Sequence, residues 1–119
     1  MAYIEFKERG SRIYSQEPAI TITVRGTFSV GKLAYERYLS HFKFVRLFYD
    51  PDRRVIGILP TNEKANNAFP IRVHAGGNTI HIASKPFFDF WNIEYSRENK
   101  RYLVSWNEEE GKVEIDLKQ

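Results

Sequence analysis

The sequence predicts a β-rich α+β domain in which two β-β-α-β-β repeats, preceded by a short hairpin, share one hydrophobic interior. Three observations predict it. Short stretches alternate apolar and polar residues at the period of a strand, two compact helical stretches interrupt them, and the alternations recur at fixed offsets along the chain. Phe28 and Val30 match Ile80 and Ile82 at an offset of 52, while Val45, Leu47, Tyr49, Ile56 and Ile58 match Tyr102, Val104, Trp106, Val113 and Ile115 at 57. The five-residue difference is absorbed by the polar stretch Ser96 to Lys100.

Each element has a local reason. In the first repeat (19–60), Ala19-Ile20-Thr21-Ile22-Thr23-Val24 alternates as a strand, turns at Arg25-Gly26, and returns as Thr27-Phe28-Ser29-Val30. Ala34, Tyr35, Tyr38, Leu39 and Phe42 then fall along one helical stripe. Val45 to Tyr49 and Val55 to Pro60 flank Asp50-Pro51-Asp52-Arg53-Arg54, a hairpin around a Pro-Asp turn. Residues 61–70, rich in Asn, Lys and Glu, read as a linker. The second repeat (71–119) runs Ile71 to His74, a Gly76-Gly77-Asn78 turn, Thr79 to Ile82, and a helix over Lys85 to Ile93 with Phe87, Phe90 and Trp91 as its stripe. Tyr102 to Trp106 and Val113 to Leu117 close it as a hairpin around Asn107 to Lys112. Residues 1–18 read as an introductory hairpin, Tyr3 to Phe6 and Arg12 to Tyr14, with Pro18 at the entry to the first repeat.

Length and composition exclude other classes. At 119 residues there is room for one domain and none for a cofactor domain beside a substrate domain. With 42% hydrophobic and 15% aromatic residues the chain can bury roughly 65% of its unfolded surface. It has no cysteine, which removes disulfides and thiolate metal sites. No apolar run is long enough to span a bilayer, and the N-terminus lacks a signal peptide's apolar core, so a cytoplasmic setting without membrane contact is expected. Lys+Arg 18 against Asp+Glu 15 gives a net charge of +3. Residues 1–60 carry ten basic and six acidic side chains and residues 61–119 eight and nine, so a polyanion would be attracted chiefly by the first half.

The strand, glycine turn, short strand, short helix and Ile-rich hairpin resemble the SpoVT-AbrB type of swapped-hairpin DNA-binding domain. The resemblance is carried by Arg25-Gly26-Thr27-Phe28-Ser29-Val30-Gly31-Lys32 with Val45 to Leu59, and by Gly77-Asn78-Thr79-Ile80-His81-Ile82-Ala83-Ser84-Lys85 with Tyr102 to Leu117. It covers most of residues 19–117. Gly31 and Ala83 stand where that family commonly has proline, and Phe and Tyr replace its Arg- and Leu-rich helix pattern. The resemblance implies a pseudo-twofold swapped-hairpin barrel in the tandem, MraZ-type arrangement, with both halves supplied by one chain. A half of about 40 residues could not bury its apolar face alone. It also implies duplex DNA as partner, contacted by basic residues near the N-terminal strand and loop of each half, which carries over to Arg25, Lys32, Arg72 and Lys85; His74 and His81 around the second glycine turn, and Arg9 and Arg12 around the first hairpin's turn, complete the candidate set by their position in the sequence.

Enzymatic motifs are incomplete. Gly26 to Lys32 matches seven positions of a phosphate-binding loop, but Leu33 replaces the Ser/Thr hydroxyl that would hold Mg²⁺. Ser29-Val30-Gly31-Lys32 spells S-x-x-K without the further motifs of acylated-serine enzymes. His41, His74 and His81 have no cluster of carboxylates or cysteines beside them, so no metal site is expected. Glu108-Glu109-Glu110 beside Gly111 reads as a solvated turn. The expectation is a non-enzymatic transcription regulator without cofactor. Two alternatives stay open: a protein-interaction or assembly module on the same fold, forming a homo-oligomer, and a single-strand nucleic-acid binder using Phe48, the outward aromatic of Phe44 to Tyr49.

Overall fold

The structure is a computed structural model that describes residues 17–74 and 79–119. The introductory hairpin with Arg9 and Arg12, and the Gly76-Gly77-Asn78 turn, lie outside the described residues. Strands β1 (Ala19–Ile22) and β2 (Thr27–Val30) lead into a helical turn α1 (Lys32–Ala34) that widens to a π-helix over Tyr35–Leu39. Strands β3 (Phe44–Asp50), β4 (Val55–Thr61), β5 (Ala68–Pro70), β6 (Arg72–Val73) and β7 (Ile80–Ala83) follow, then helices α2 (Lys85–Phe90) and α3 (Tyr95–Glu98), then β8 (Arg101–Asn107) and β9 (Lys112–Asp116).

All nine strands join one antiparallel sheet in the order β5-β3-β4-β9-β8-β1-β2-β7-β6. Its two ends, β5 and β6, are separated in sequence only by Ile71, whose N–H donates to Lys43 O at 2.9 Å. The sheet therefore curls into a nearly closed, barrel-like form that leaves little free edge. Alternation sets what faces inward. Ile20, Ile22, Phe28, Val30, Ile80 and Ile82 come from one side, and Val45, Ile56, Ile58, Tyr102, Val113 and Ile115 from the other; all are buried in one cluster with Ala34, Leu39, Phe87 and Phe88. Phe28 and Phe88 meet with ring centroids 5.0 Å apart.

The hairpins form where the turn chemistry predicts them. Asp50 Oδ1 accepts the N–H groups of Asp52 and Arg53 at 3.1 and 3.2 Å. Asn107 Oδ1 accepts from Glu110 N at 3.1 Å, with Gly111 at φ +65°. Two ladders join the hairpins to each other. β4–β9 contains the pair Gly57↔Glu114 and β2–β7 the pair Ser29↔His81, residues 57 and 52 apart, the two offsets at which the alternations match. Helical aromatics reach across in the same sense: Tyr38 stacks on Trp106 of β8 at 5.5 Å and 8°, and Trp91 meets Tyr49 of β3 at 5.5 Å.

Four details differ from the sequence reading. β5 lies within the stretch read as a linker and pairs with β3, Val45 opposite Phe69. Its Pro70 is tolerated because β5 ends the strand order, where a missing donor breaks no ladder on its outer side. The polar stretch after Glu94 folds as α3, stopped by Asn99, whose Nδ2 donates to the carbonyls of Tyr95 and Ser96 at 3.0 and 2.8 Å. In α2 the buried face is Phe87 and Phe88, with Phe90 75% exposed and Trp91 38%. The helix stops at Phe90, Asn92 takes φ +54°, and Ile93 turns back into the core, so a longer 3.6-residue stripe never forms.

Gly31 has a stringent local role. Its N–H donates to Ala19 O at 2.9 Å, and a Cβ at this position would lie 2.7 Å from that same oxygen. A proline here would lose the hydrogen bond.

Candidate nucleic-acid interface

The outward face of β1-β2-β7-β6 brings together three of the basic residues singled out from the sequence, Arg25, Arg72 and His81. Directly opposed residues of a ladder share a face, and the registers place Thr21, Ser29, His81 and Arg72 in one row across the four strands. Their neighbours in sequence, Ile20, Ile22, Phe28, Val30, Ile80 and Ile82, all point inward. The period of two thus divides these strands into an Ile-rich inner face and an outer face of Thr, Ser, His and Arg.

A groove of ≈ 450 Å³ runs over this face. Its floor is made of small side chains, Thr27 and Ser29 of β2 and Ala83 of β7. Arg25 and Val24 from the β1–β2 turn, and Arg72 and His81 from β6 and β7, rise around it. No carboxylate lines it among the described residues. The β1–β2 turn that carries Arg25 is fixed by Thr23, whose Oγ1 accepts from the N–H groups of Arg25 and Thr27, both at 3.3 Å. Gly26 closes the turn at φ +76° and accepts Ser84 N–H through its carbonyl at 3.0 Å, packing the turn against the start of α2.

Ion pairs engage several cations elsewhere on the surface. On the opposite hairpins, Arg53 lies 3.8 Å from Asp50 and 3.9 Å from Glu114, Arg54 is 2.8 Å from Glu98, Lys112 is 2.7 Å from Glu110 and Lys118 is 3.2 Å from Asp116. Arg25, Lys32 and Arg72 form no ion pair among the described residues. Their charge is directed to solvent.

The remaining site residues behave individually. Lys85 lies at the Gly26 end of β7, but its Nζ is 2.9 Å from Asp89, whose hydrogen bond and charge hold the lysine pKa above its ordinary value. A phosphate would have to compete for it. His74 is exposed and its Nε2 lies 2.8 Å from Nε2 of His81, a contact the sequence gave no means to foresee. Lys32 follows β2 at the end remote from Arg25. Arg72 occupies the strand position equivalent in pairing to Thr21, whereas Arg25 belongs to a turn, so these two arginines are not counterparts in the sheet.

Phe48 does point outward, as alternation implies, but cations already cover its ring. Lys112 Nζ stands 4.2 Å from its centroid and Arg46 Cζ 5.6 Å. Arg54 and Glu98 belong to a structural cluster, in which buried Tyr102 donates its hydroxyl to Glu98 O at 2.7 Å. Burial, reinforced by Glu98, pushes the Tyr102 phenol well above the usual tyrosine range.

Comparison with known proteins gives no matching family, curated relative or solved structure, so the geometry alone carries the functional reading. Among the described residues no three His, Asp or Glu side chains converge on a common point, and no helix is long and apolar enough to cross a membrane.

Proposed function

We propose that this chain is a non-enzymatic regulator that binds duplex DNA across the outer face of β1-β2-β7-β6. The observation that carries the reading is the carboxylate-free groove, with its floor of small side chains and Arg25, Arg72 and His81 around it. Small side chains on two central strands let a backbone approach the sheet closely. Thr and Ser hydroxyls donate to phosphate or base edges, and the arginines supply charge-assisted, bidentate contacts.

The proposed architecture is a swapped-hairpin barrel of two equivalent halves. Support comes from the ladders: a twofold axis through an antiparallel pair makes equivalent positions face each other, and Ser29↔His81 and Gly57↔Glu114 are such pairs. The cross-wise packing of Tyr38 on Trp106 and of Trp91 on Tyr49 fits the same exchange.

Fluorescence anisotropy of the full chain with a labelled duplex at several salt concentrations tests the function. Binding should weaken steeply with salt, and Arg25→Ala with Arg72→Ala should lower the slope of log K against log [salt] by about 1.8, two phosphate contacts at about 0.9 each. Unchanged affinity and slope in that double variant refute the site. Phe48 lends a single-strand reading little, since its ring is engaged by Lys112 and Arg46. One observation favours assembly as a second reading: Phe90 is 75% exposed and packs edge-on against Trp91, apolar surface away from the groove. Concentration-dependent association, lost in Phe90→Ser, together with failure to retard any duplex at low salt, would select it.

A further inference from the structure

We propose that His74 and His81 form a two-imidazole chelate for a divalent transition-metal ion, Cu(II) foremost. The inference stands on its own geometry and does not rest on the duplex reading. The two histidines are seven positions apart in sequence, but β6 and β7 pair in a register that puts Arg72 opposite His81 and joins His74 N–H to Thr79 O at 2.8 Å. His74 and His81 are thus diagonal neighbours on one face, with Nε2 atoms 2.8 Å apart and ring centroids at 4.3 Å. Two nitrogen lone pairs cannot sit at that distance unless something positive lies between them. In the free protein it is a proton, one ring donating and the other accepting.

A metal ion can take the proton's place. Imidazole–metal bonds of about 2.0–2.1 Å spanning 2.8 Å enclose an angle of roughly 85–90°. That is the angle between adjacent positions of a square-planar or octahedral ion. A tetrahedral ion would need nitrogens about 3.3–3.4 Å apart at the same bond length. The geometry therefore suits Cu(II) or Ni(II) better than Zn(II), and the order of divalent affinities places Cu(II) first. The donor set argues the same way. No carboxylate lines the adjoining groove among the described residues, so hard cations such as Ca²⁺ and Mg²⁺ lack their oxygen ligands.

The charged neighbour Arg72, opposite His81, repels any cation and selects against ions held by charge alone. Binding needs no net change in the neutral pair: the ring carrying a proton on Nε2 shifts it to Nδ1 and presents the freed lone pair. A singly protonated pair releases one proton to solvent. Water completes the coordination sphere, since His74 is exposed.

Cu(II) titrated into the metal-free full chain, without DNA, tests the proposal by calorimetry and electron paramagnetic resonance. The reference is the double variant His74→Gln with His81→Gln, which retains His41 and the terminal amine as competing ligands. The wild-type chain should bind one Cu(II) more than this reference, with hyperfine structure from two nitrogens. Each single variant should weaken that site by roughly 10–100-fold, at least the cost of losing a supporting group around a metal. In the wild-type chain, substoichiometric Cu(II) should first broaden the amide resonances of Arg72 to His74 and Thr79 to His81, a readout that needs no variant to fold. Identical isotherms for wild type and reference, full binding in either single variant, or broadening that begins elsewhere would overturn the proposal. Because DNA is absent throughout, none of these outcomes bears on the duplex reading.

Discussion

Substituting Gly31 by alanine puts a single methyl group against a backbone oxygen. The added Cβ would stand 2.7 Å from Ala19 O, where ordinary contacts begin near 3.4 Å, so the β1 carbonyl and the start of α1 must separate by several tenths of an ångström. The oxygen belongs to the main chain and cannot rotate away. Separation also stretches the 2.9 Å hydrogen bond from Gly31 N–H to that oxygen, worth about 1 kcal/mol. Overpacking of this kind costs about 1–3 kcal/mol. Against it stands the gain of about 0.4–1 kcal/mol from a less flexible unfolded chain, which φ −64° at this position allows alanine to realise. The balance is a destabilisation of about 1–3 kcal/mol, or a Tm lower by roughly 4–12 °C for a domain of this size. Thermal unfolding followed by circular dichroism measures it. Gly57→Ala is the control: there the nearest atom is Lys112 Cδ at 3.1 Å, part of a flexible side chain, and the change should be small. A Gly31→Ala protein as stable as the parent refutes the close approach of β1 to α1.

Further substitutions probe other links. Tyr102→Phe removes the hydroxyl donated to Glu98 O and, at 3.1 Å, to Glu98 Oε2, and should cost about 1–2 kcal/mol in urea unfolding without changing the m-value. The Asp116 carboxylate accepts Lys118 N–H at 2.8 Å and lies 3.2 Å from Lys118 Nζ, which holds its pKa below the ordinary value. A folded-state pKa that is depressed gives stability above the unfolded value near about 3.9 and loses it as pH falls toward the folded one. Asp116→Asn should therefore lower stability slightly at pH 7, with the difference from the parent closing as pH falls below about 4, as pH-dependent unfolding will report. Phe48→Ala, which frees Lys112 and Arg46, should lower stability modestly and leave nucleic-acid affinity unchanged in anisotropy titrations.

Much of the sheet was legible because alternation has an exact period and turns have specific chemistry. Ile20, Ile22, Phe28, Val30, Ile80 and Ile82 are the apolar positions of the alternation and are buried, and Asp50 holds its turn by the side-chain hydrogen bonds expected of it. Three features were not legible. β5 has three residues and ends in Pro70, too short to show a period, and exists because β3 offers it an edge. In α2 the apolar run Phe87-Phe88-Asp89-Phe90-Trp91 gives no single stripe, and only the stop at Phe90 decides that Phe88 is buried and Phe90 exposed. For the candidate site, the basic residues could be named but not their pairing. Asp89 four residues after Lys85 signalled the ion pair that engages that lysine, whereas the His74–His81 contact depends on a strand register that no local pattern encodes.

The central claim is that one face of the sheet meets duplex DNA. Amide chemical shifts of the isotope-labelled chain, followed as duplex is added at low salt, test it most directly. The account predicts shifts at Thr21, Arg25, Thr27, Ser29, Arg72 and His81, with Phe48, Asp52 and Glu110 on the opposite hairpins unmoved. Shifts confined to those opposite hairpins, or no shifts at any duplex concentration, would contradict it.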